Sequence, residues 1–332
     1  MKLIIPMAGR GKRLRPHSHV TPKPLLAVKG TSMVERIVDT FNHVLPHHLD
    51  EGVFVLGPDF GADVRRQLTD ICRRHAMEPH FIVQEEPLGT AHAVGVTGAH
   101  MQGEGIVVYA DTVFEMDPGV QLEGADVIAW VKEVEDPSRF GVAVREGARI
   151  VAFVEKPQEL ISKEALIGIY YVKDLTHLQA AIDHLFEHDI RGKGSEFYLT
   201  DAFDLMLKDG RVFKTATVNA WLDCGTLTAL MDTTRHLLDG ETHTPPPGAV
   251  ESSVLIEPVY IGEGASVTNS VVGPYVSIEA GATVKDSILR HSIVFEGAHV
   301  ENAVLKDSFI GAHASVSPAA AALNIGDHSV VE

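Results

Sequence analysis

Over the first two thirds of the chain, short apolar runs alternate with amphipathic stretches. Leu3-Ile4-Ile5, Val53–Leu56, Phe81–Val83 and Ile106–Tyr109 each read as a buried strand. Between them, Met33, Val34, Ile37, Val38 and Phe41 recur at helical spacing. Ser32 and Glu35 form a capping box in front of that helix. Val64–Arg74 and Ala91–Gly98 predict two more helices. Strands alternating with helices predict an α/β domain: a Rossmann-like mixed, mostly parallel sheet with flanking helices. Ligands in such sheets bind at the carboxyl ends of the strands.

The pattern changes past residue 238. Asp239–Gly248 has linker composition, with three consecutive prolines. Beyond it, Ala265-Ser-Val-Thr-Asn-Ser, Ala282-Thr-Val-Lys-Asp-Ser and Ala298-His-Val-Glu-Asn-Ala repeat at offsets of 17 and 16. Aliphatic residues fall every five or six positions: Ile261, Val267, Val272, Ile278, Val284, Leu289, Val294, Val300, Leu305, Ile310 and Val316. No helix has that period; it matches the hexapeptide class of β-helix, whose coils stack on one another. Asn324–Val330 reads as a further partial coil. The expected division is therefore a domain over 1–238, a linker over 239–250 and a β-helix over 251–332.

Composition adds exclusions. At 332 residues and 45% apolar content the chain is neither disordered nor membranous, and two domains are expected. It holds no run of eighteen apolar residues and no signal-peptide pattern. Cys72 and Cys224 stand far apart and read as reduced thiols of a cytoplasmic protein. The histidines show no Cys/His ligand spacing, and His47-His48 reads as a solvated loop. A formal net charge of −17 argues against nucleic acid as a partner.

Charge is unevenly spread, and that points to chemistry. Residues 1–34 hold Lys2, Arg10, Lys12, Arg13, Arg15, Lys23 and Lys29 and no acid. A cationic loop on an acidic body can hold a small polyanion, and Gly9 and Gly11 let the backbone approach it closely. Two familiar phosphate motifs fail here. The dinucleotide fingerprint needs glycine where Leu14 stands, and the P-loop needs Ser or Thr where Arg13 stands. Further on, Gln84 offers the donor and acceptor that a uracil or thymine edge requires. Asp111 ends a buried strand, and Asp223 follows Trp221-Leu222; Mg²⁺ is usually held by one or two such carboxylates plus substrate phosphates.

These strings together resemble the sugar-1-phosphate nucleotidylyltransferases. The resemblance rests on Gly9-x-Gly11-Lys12-Arg13-Leu14-x-Pro16 followed by Pro22-Lys23, with Lys12 where that family usually has Thr or Ser. It continues in Gln84-x-x-Pro87-x-Gly89-x-Ala91, Ala110-Asp111, Glu155-Lys156-Pro157, Gly168-x-Tyr170, Gly194 to Asp201, and Trp221-x-Asp223-x-Gly225-Thr226. The repeats resemble the left-handed β-helix appended to many such enzymes. The resemblance implies nucleotidylyl transfer from dTTP or UTP to a sugar 1-phosphate. Arg13 and Lys23 would be catalytic, and Ala8, Gly9, Gly11, Lys12, Gln84, Gly89 and Thr90 would bind nucleotide. Gly141, Glu155, Lys156 and Gly168 would bind the sugar phosphate, and Asp111 and Asp223 would hold Mg²⁺. Glu196 reads mainly as part of a helix start. Ile167 stands where some N-acetylglucosamine-1-phosphate enzymes carry Asn, which favours glucose 1-phosphate. A homo-oligomer built through the β-helix is expected. Two alternatives remain. One is a bifunctional enzyme that uses N-acetylglucosamine 1-phosphate and adds acetyl transfer on the β-helix, with His291, His299, His313 or His328 as base. The other is a non-catalytic nucleotide-sugar sensor.

Overall fold

The run Leu3-Ile4-Ile5 forms the middle of strand β1 (Lys2–Pro6), and its side chains alternate between two cores. Leu3 and Ile5 pack with Val34, Phe41, Phe54, Leu68 and Trp130 on one face. Ile4 packs with Val53, Ala91, Val107, Leu178 and Phe203 on the other. A strand covered on both faces has no polar face to show, which is why the sequence reads as continuous rather than alternating apolar runs. The computed structural model describes residues 1–9, 11–192, 194–240 and 243–318. Arg10, the expected coil at Asn324–Val330 and His328 lie outside the described residues.

The other strands of this sheet are β2 (Glu51–Leu56), β3 (Glu78–Val83), β4 (Gly105–Val108), β6 (Val127–Glu133), β7 (Gly141–Glu146), β8 (Arg149–Glu155), β9 (Glu164–Val172) and β10 (Phe213–Thr217). Their order is β3-β2-β1-β4-β9-β6-β10-β8-β7. Seven of the nine run one way, and β8 and β9 run against them. A separate two-stranded ribbon joins β5 (Thr112–Glu115) to β11 (Ala220–Asp223). Helices α1 (Met33–Val44) and α2 (Ala62–Arg74) cover the first face, while α3 (Thr90–Gly95), α4 (Leu175–Glu187) and α5 (Leu199–Lys208) cover the second. Half of the capping box forms: the Ser32 hydroxyl accepts the Glu35 N–H at 3.2 Å, while the Glu35 carboxylate accepts from Arg74 Nε at 2.7 Å instead of reaching back to Ser32. The predicted helix Ala91–Gly98 is shorter than expected. It ends at Gly95, where a Cβ would meet Ile182 at 2.7 Å, and a 3-10 turn follows at Gly98–His100.

The chain divides into two compact units. The first comprises Met1–Leu26 and Thr31–Leu230; the second comprises Ala27–Gly30 and the chain from Met231 on. Within the second, the Gly30 N–H donates to the buried Glu279 carboxylate at 2.9 Å, and Lys29 Nζ donates to the Leu237 carbonyl at 2.8 Å. The repeats form three parallel sheets whose aliphatic columns stack in register: Val267 on Val284 on Val300, Val272 on Leu289 on Leu305, and Ile278 on Val294 on Ile310. Asn269, Asp286 and Asn302 take left-handed backbone at successive corners, a conformation that Asn and Asp tolerate. The arrangement is consistent with the left-handed β-helix expected. Among the described residues no helix is long and apolar enough to cross a membrane.

Leu289 is fully buried in the β-helix core, whereas Val304 is 78% exposed. Leu289→Ala is expected to destabilise by about 2–5 kcal/mol, and Val304→Ala to change stability by under about 0.5 kcal/mol. Urea unfolding followed by circular dichroism checks the pair.

Candidate active site

The loop leaving β1 opens into a cavity of about 990 Å³. Gly11 takes left-handed backbone (φ 55°), and a Cβ there would meet Lys23 Cβ at 2.9 Å. The chain then makes one 3-10 turn, Lys12–Leu14, closed by Leu14 N–H to the Gly11 carbonyl at 2.9 Å. Leu14 is fully buried and anchors the turn, so Lys12 and Arg13 are left exposed on the cavity wall. A second 3-10 turn, Lys23–Leu25, follows Pro22. It buries Lys23, whose Nζ donates to the Asp111 backbone carbonyl at 2.7 Å and lies 3.9 Å from Asp111 Oδ2. Burial pushes the Lys23 pKa down, and Asp111, Cys224 and Asp223 oppose that, in that order.

The β5–β11 ribbon unites the two carboxylates. Asp223 pairs with Thr112, the residue after Asp111, and the Cys224 N–H reaches the Asp111 carbonyl at 3.4 Å. Asp223 Oδ1 accepts the Gly225 N–H at 2.7 Å. A Cβ on Gly225 would lie 2.8 Å from that same oxygen and 3.1 Å from Arg13 Nη2, so glycine here lets Arg13 and Asp223 converge. The Asp111 side chain keeps a 58% exposed face toward the cavity. The protein walls around it nevertheless raise its pKa; Lys23 pulls it down and Asp223 pushes it up. Two mutually repelling carboxylates offering hard oxygen donors suit a divalent cation of the Mg²⁺ class.

The opposite wall is built by β7, β8 and β9. Gly141 pairs with Glu155, and a Cβ on Gly141 would meet Glu155 Oε2 at 2.8 Å. Lys156 has positive φ (45°), held by its N–H to the Phe140 carbonyl at 3.0 Å, and its Nζ lies 3.7 Å from Glu155 Oε1. The β9 register shifts between Leu166 and Tyr170. Within that shift Gly168 (φ 77°) accepts the Tyr109 N–H at 2.9 Å and has no room for a Cβ, which would meet Tyr109 at 2.6 Å.

Of the residues that the resemblance assigns to catalysis, nucleotide, sugar phosphate or metal, Ala8, Gln84 and Gly89 do not line this cavity, whereas the remaining ones do. Gln84 is buried, with Nε2 2.9 Å from Nδ1 of His92, whose pKa is lowered by burial. Gly89 is fitted to backbone, because a Cβ there would meet the Phe197 carbonyl oxygen at 2.5 Å. Thr90 lines the wall and also accepts the Leu199 N–H at 2.9 Å. The site also contains groups not singled out beforehand. Thr112 Oγ1, Thr200 Oγ1 and Trp221 Nε1 are buried wall atoms with no hydrogen-bond partner. Thr200 and Trp221 belong to the motifs shared with the nucleotidylyltransferases; Thr112 and the wall residue Arg139 carry no signal in the sequence. On the β-helix, His291 Nδ1 lies 3.4 Å from Asp307 Oδ1, and His299 Nδ1 lies 2.6 Å from Thr283 Oγ1.

Comparison with known proteins gives two family matches. Residues 2–240 match the nucleotidyl transferase family, and residues 240–300 match the GlmU-like C-terminal hexapeptide family. The glucose-1-phosphate thymidylyltransferase of Streptomyces griseus is 27% identical over 99% of this chain and 98% of its own length. The bifunctional protein GlmU of Methanocaldococcus jannaschii is 28% identical over 80% of this chain and 61% of its own. Among solved structures, a UDP-glucose pyrophosphorylase complexed with UDP-glucose aligns with a TM-score of 0.59 at 20% identity. That alignment covers 72% of this chain and 99% of the other, and shows a shared fold.

The close approach at Gly168 is directly testable. Gly168→Ala adds a Cβ both at positive φ and against Tyr109. It is expected to cost more than about 1 kcal/mol of stability, measured by urea unfolding against the wild-type chain.

Proposed function

Since the chain belongs to the nucleotidyl transferase family, we propose that it moves a nucleotidylyl group from dTTP or UTP to a sugar 1-phosphate, releasing pyrophosphate. One observation carries this reading. A single cavity gathers the cations Lys12, Arg13 and Lys23, the carboxylates Asp111 and Asp223, and the Glu155–Lys156 pair. A nucleotide triphosphate needs the first group, a reacting phosphate needs charge neutralisation from the second, and a sugar phosphate suits the third.

The chemistry asks little of a general base. A sugar phosphate has a second pKa near 6, so it is largely dianionic at neutral pH and is already a nucleophile. The task is alignment and charge neutralisation. Arg13 receives the charge that develops as pyrophosphate leaves. Lys23, buried beside Asp111, presents a fixed ammonium to the reacting phosphates. Lys156 holds the sugar phosphate and Glu155 accepts sugar hydroxyls. Asp111 and Asp223 would hold Mg²⁺, which when bound supplies further neutralisation of the phosphate oxygens. Gly168 and Gly141 keep the wall flat enough for the sugar ring. For the base, the Gln84 motif of the sequence supports a uracil or thymine edge, although its side chain is buried against His92 outside the cavity lining. Glucose 1-phosphate is the favoured acceptor, on Ile167 and on the activity for which the Streptomyces griseus relative is named. We assign catalysis to residues 1–238 and assembly into a homo-oligomer to the β-helix over 251–332, in a cytoplasmic setting.

Arg13→Ala and Asp223→Asn are expected to melt like the wild-type chain yet turn over about 10²–10³-fold more slowly. Pyrophosphate release with Mg²⁺ over a panel of five NTPs and several sugar 1-phosphates measures this. Near-wild-type turnover of Asp223→Asn would remove the metal assignment. Preference for GTP would remove the Gln84 reading.

A further inference from the structure

A second cluster of ligating side chains lies at the amino ends of the strands, whereas the cavity collects the loops at their carboxyl ends. Glu51 opens β2, paired with Lys2 of β1 on one side and Glu78 of β3 on the other. His80 lies two residues beyond Glu78, so it projects from the same sheet face as Glu51. His100 closes the 3-10 turn Gly98–His100, brought to that face by Met101, which is buried in the same core as Ile4 and Val53.

The three side chains converge. Glu51 Oε2 is 3.2 Å from His80 Nε2 and 3.9 Å from His100 Nδ1. One ligand atom from each residue falls within 4.8 Å of both others. The imidazole rings lie 4.3 Å apart at 36°, too tilted for a flat stack. His80 Nε2 is buried and, although 3.2 Å from Glu51 Oε2, makes no hydrogen bond of good geometry. A buried ring nitrogen without a hydrogen bond is costly unless something else occupies its lone pair. Lys2 is a nearby cation: its Nζ lies 3.6 Å from the opposite oxygen, Oε1 of Glu51, and also donates to the Gln102 carbonyl at 3.1 Å. Oε2 is thus the oxygen turned toward the two imidazoles.

We propose that Glu51, His80 and His100 bind a divalent transition-metal cation of the Zn²⁺ class. Two imidazoles and one carboxylate form a borderline donor set that favours Zn²⁺, Co²⁺ or Ni²⁺, whereas Mg²⁺ prefers oxygen alone. The site is therefore chemically distinct from the all-carboxylate pair Asp111 and Asp223. Its ligands come from β2, β3 and the turn after α3, so the ion ties together three segments separated in sequence. Such a tie stabilises the fold that presents the ligands, because the unfolded chain offers no preformed site. The role is structural, since Lys2 sits beside the carboxylate and the site lies away from the substrate cavity.

The test uses the full-length chain, stripped with EDTA, dialysed, and titrated with Zn²⁺ alone in excess Mg²⁺. The wild-type chain is expected to bind one tight equivalent and to melt at higher temperature with Zn²⁺. Co²⁺ in its place is expected to give the visible absorption of a nitrogen-ligated site, a readout that needs no variant. His80→Gln with His100→Gln should weaken the tight equivalent by more than about tenfold and abolish the melting shift. His47→Gln with His48→Gln, at exposed neighbouring side chains, should leave both unchanged. Absence of a tight equivalent and of the Co²⁺ absorption in the wild-type chain overturns the proposal. So does undiminished Zn²⁺ binding by a folded His80→Gln, His100→Gln chain.

Discussion

A buried ammonium set beside two carboxylates organises the reactive end of the sheet. Lys23 comes from the N-terminal loop, Asp111 from the end of β4, and Asp223 from the end of β11. Each is unfavourable in that place by itself. Burial disfavours the lysine's charge, and the two acids repel one another. Together they compensate in part, and the remaining like-charge repulsion makes the pair a natural seat for a cation. The β5–β11 ribbon fixes this arrangement, because its register sets Asp223 across from Thr112. Gly225 completes it by leaving space for Arg13 beside Asp223.

The rest of the first unit keeps that end rigid and open. Strands β1 to β4 are parallel, so their carboxyl ends share one edge and their loops can reach a common cavity. The reversed strands β8 and β9 then bring Glu155 and Gly168 to the opposite wall of the same cavity. Apolar packing on both sheet faces carries this frame. The Glu51–His80–His100 cluster sits at the other edge, where it can tie the frame without entering the chemistry.

Much of this was legible in the sequence, for identifiable reasons. The β-helix was readable because each coil must point an aliphatic residue inward. The columns through Val284, Leu289 and Val294 therefore carry a period that no α-helix has. The strand–helix alternation was readable because β1 and β2 are buried on both faces. The reversal of β8 and β9 was not readable, since strand direction depends on long-range pairing and leaves no local mark. Gln84 shows the limit of motif reasoning. Its position at the end of β3 was clear, but its partner His92 depends on how α3 packs. Thr112 and Arg139 joined the wall through tertiary placement alone. Glu51, His80 and His100 stand 29 and 20 residues apart, and no ligand spacing unites them until β2 and β3 pair.

One cavity is expected to join the two substrates. Phosphorus NMR of a single mixture of folded protein, Mg²⁺, dTTP or UTP, and glucose 1-phosphate tests it most directly. Nucleotide-sugar and pyrophosphate should appear in equal amounts, and neither when the sugar phosphate is left out. Triphosphate cleavage that proceeds without the sugar phosphate, or an unchanged spectrum from folded protein, would contradict it.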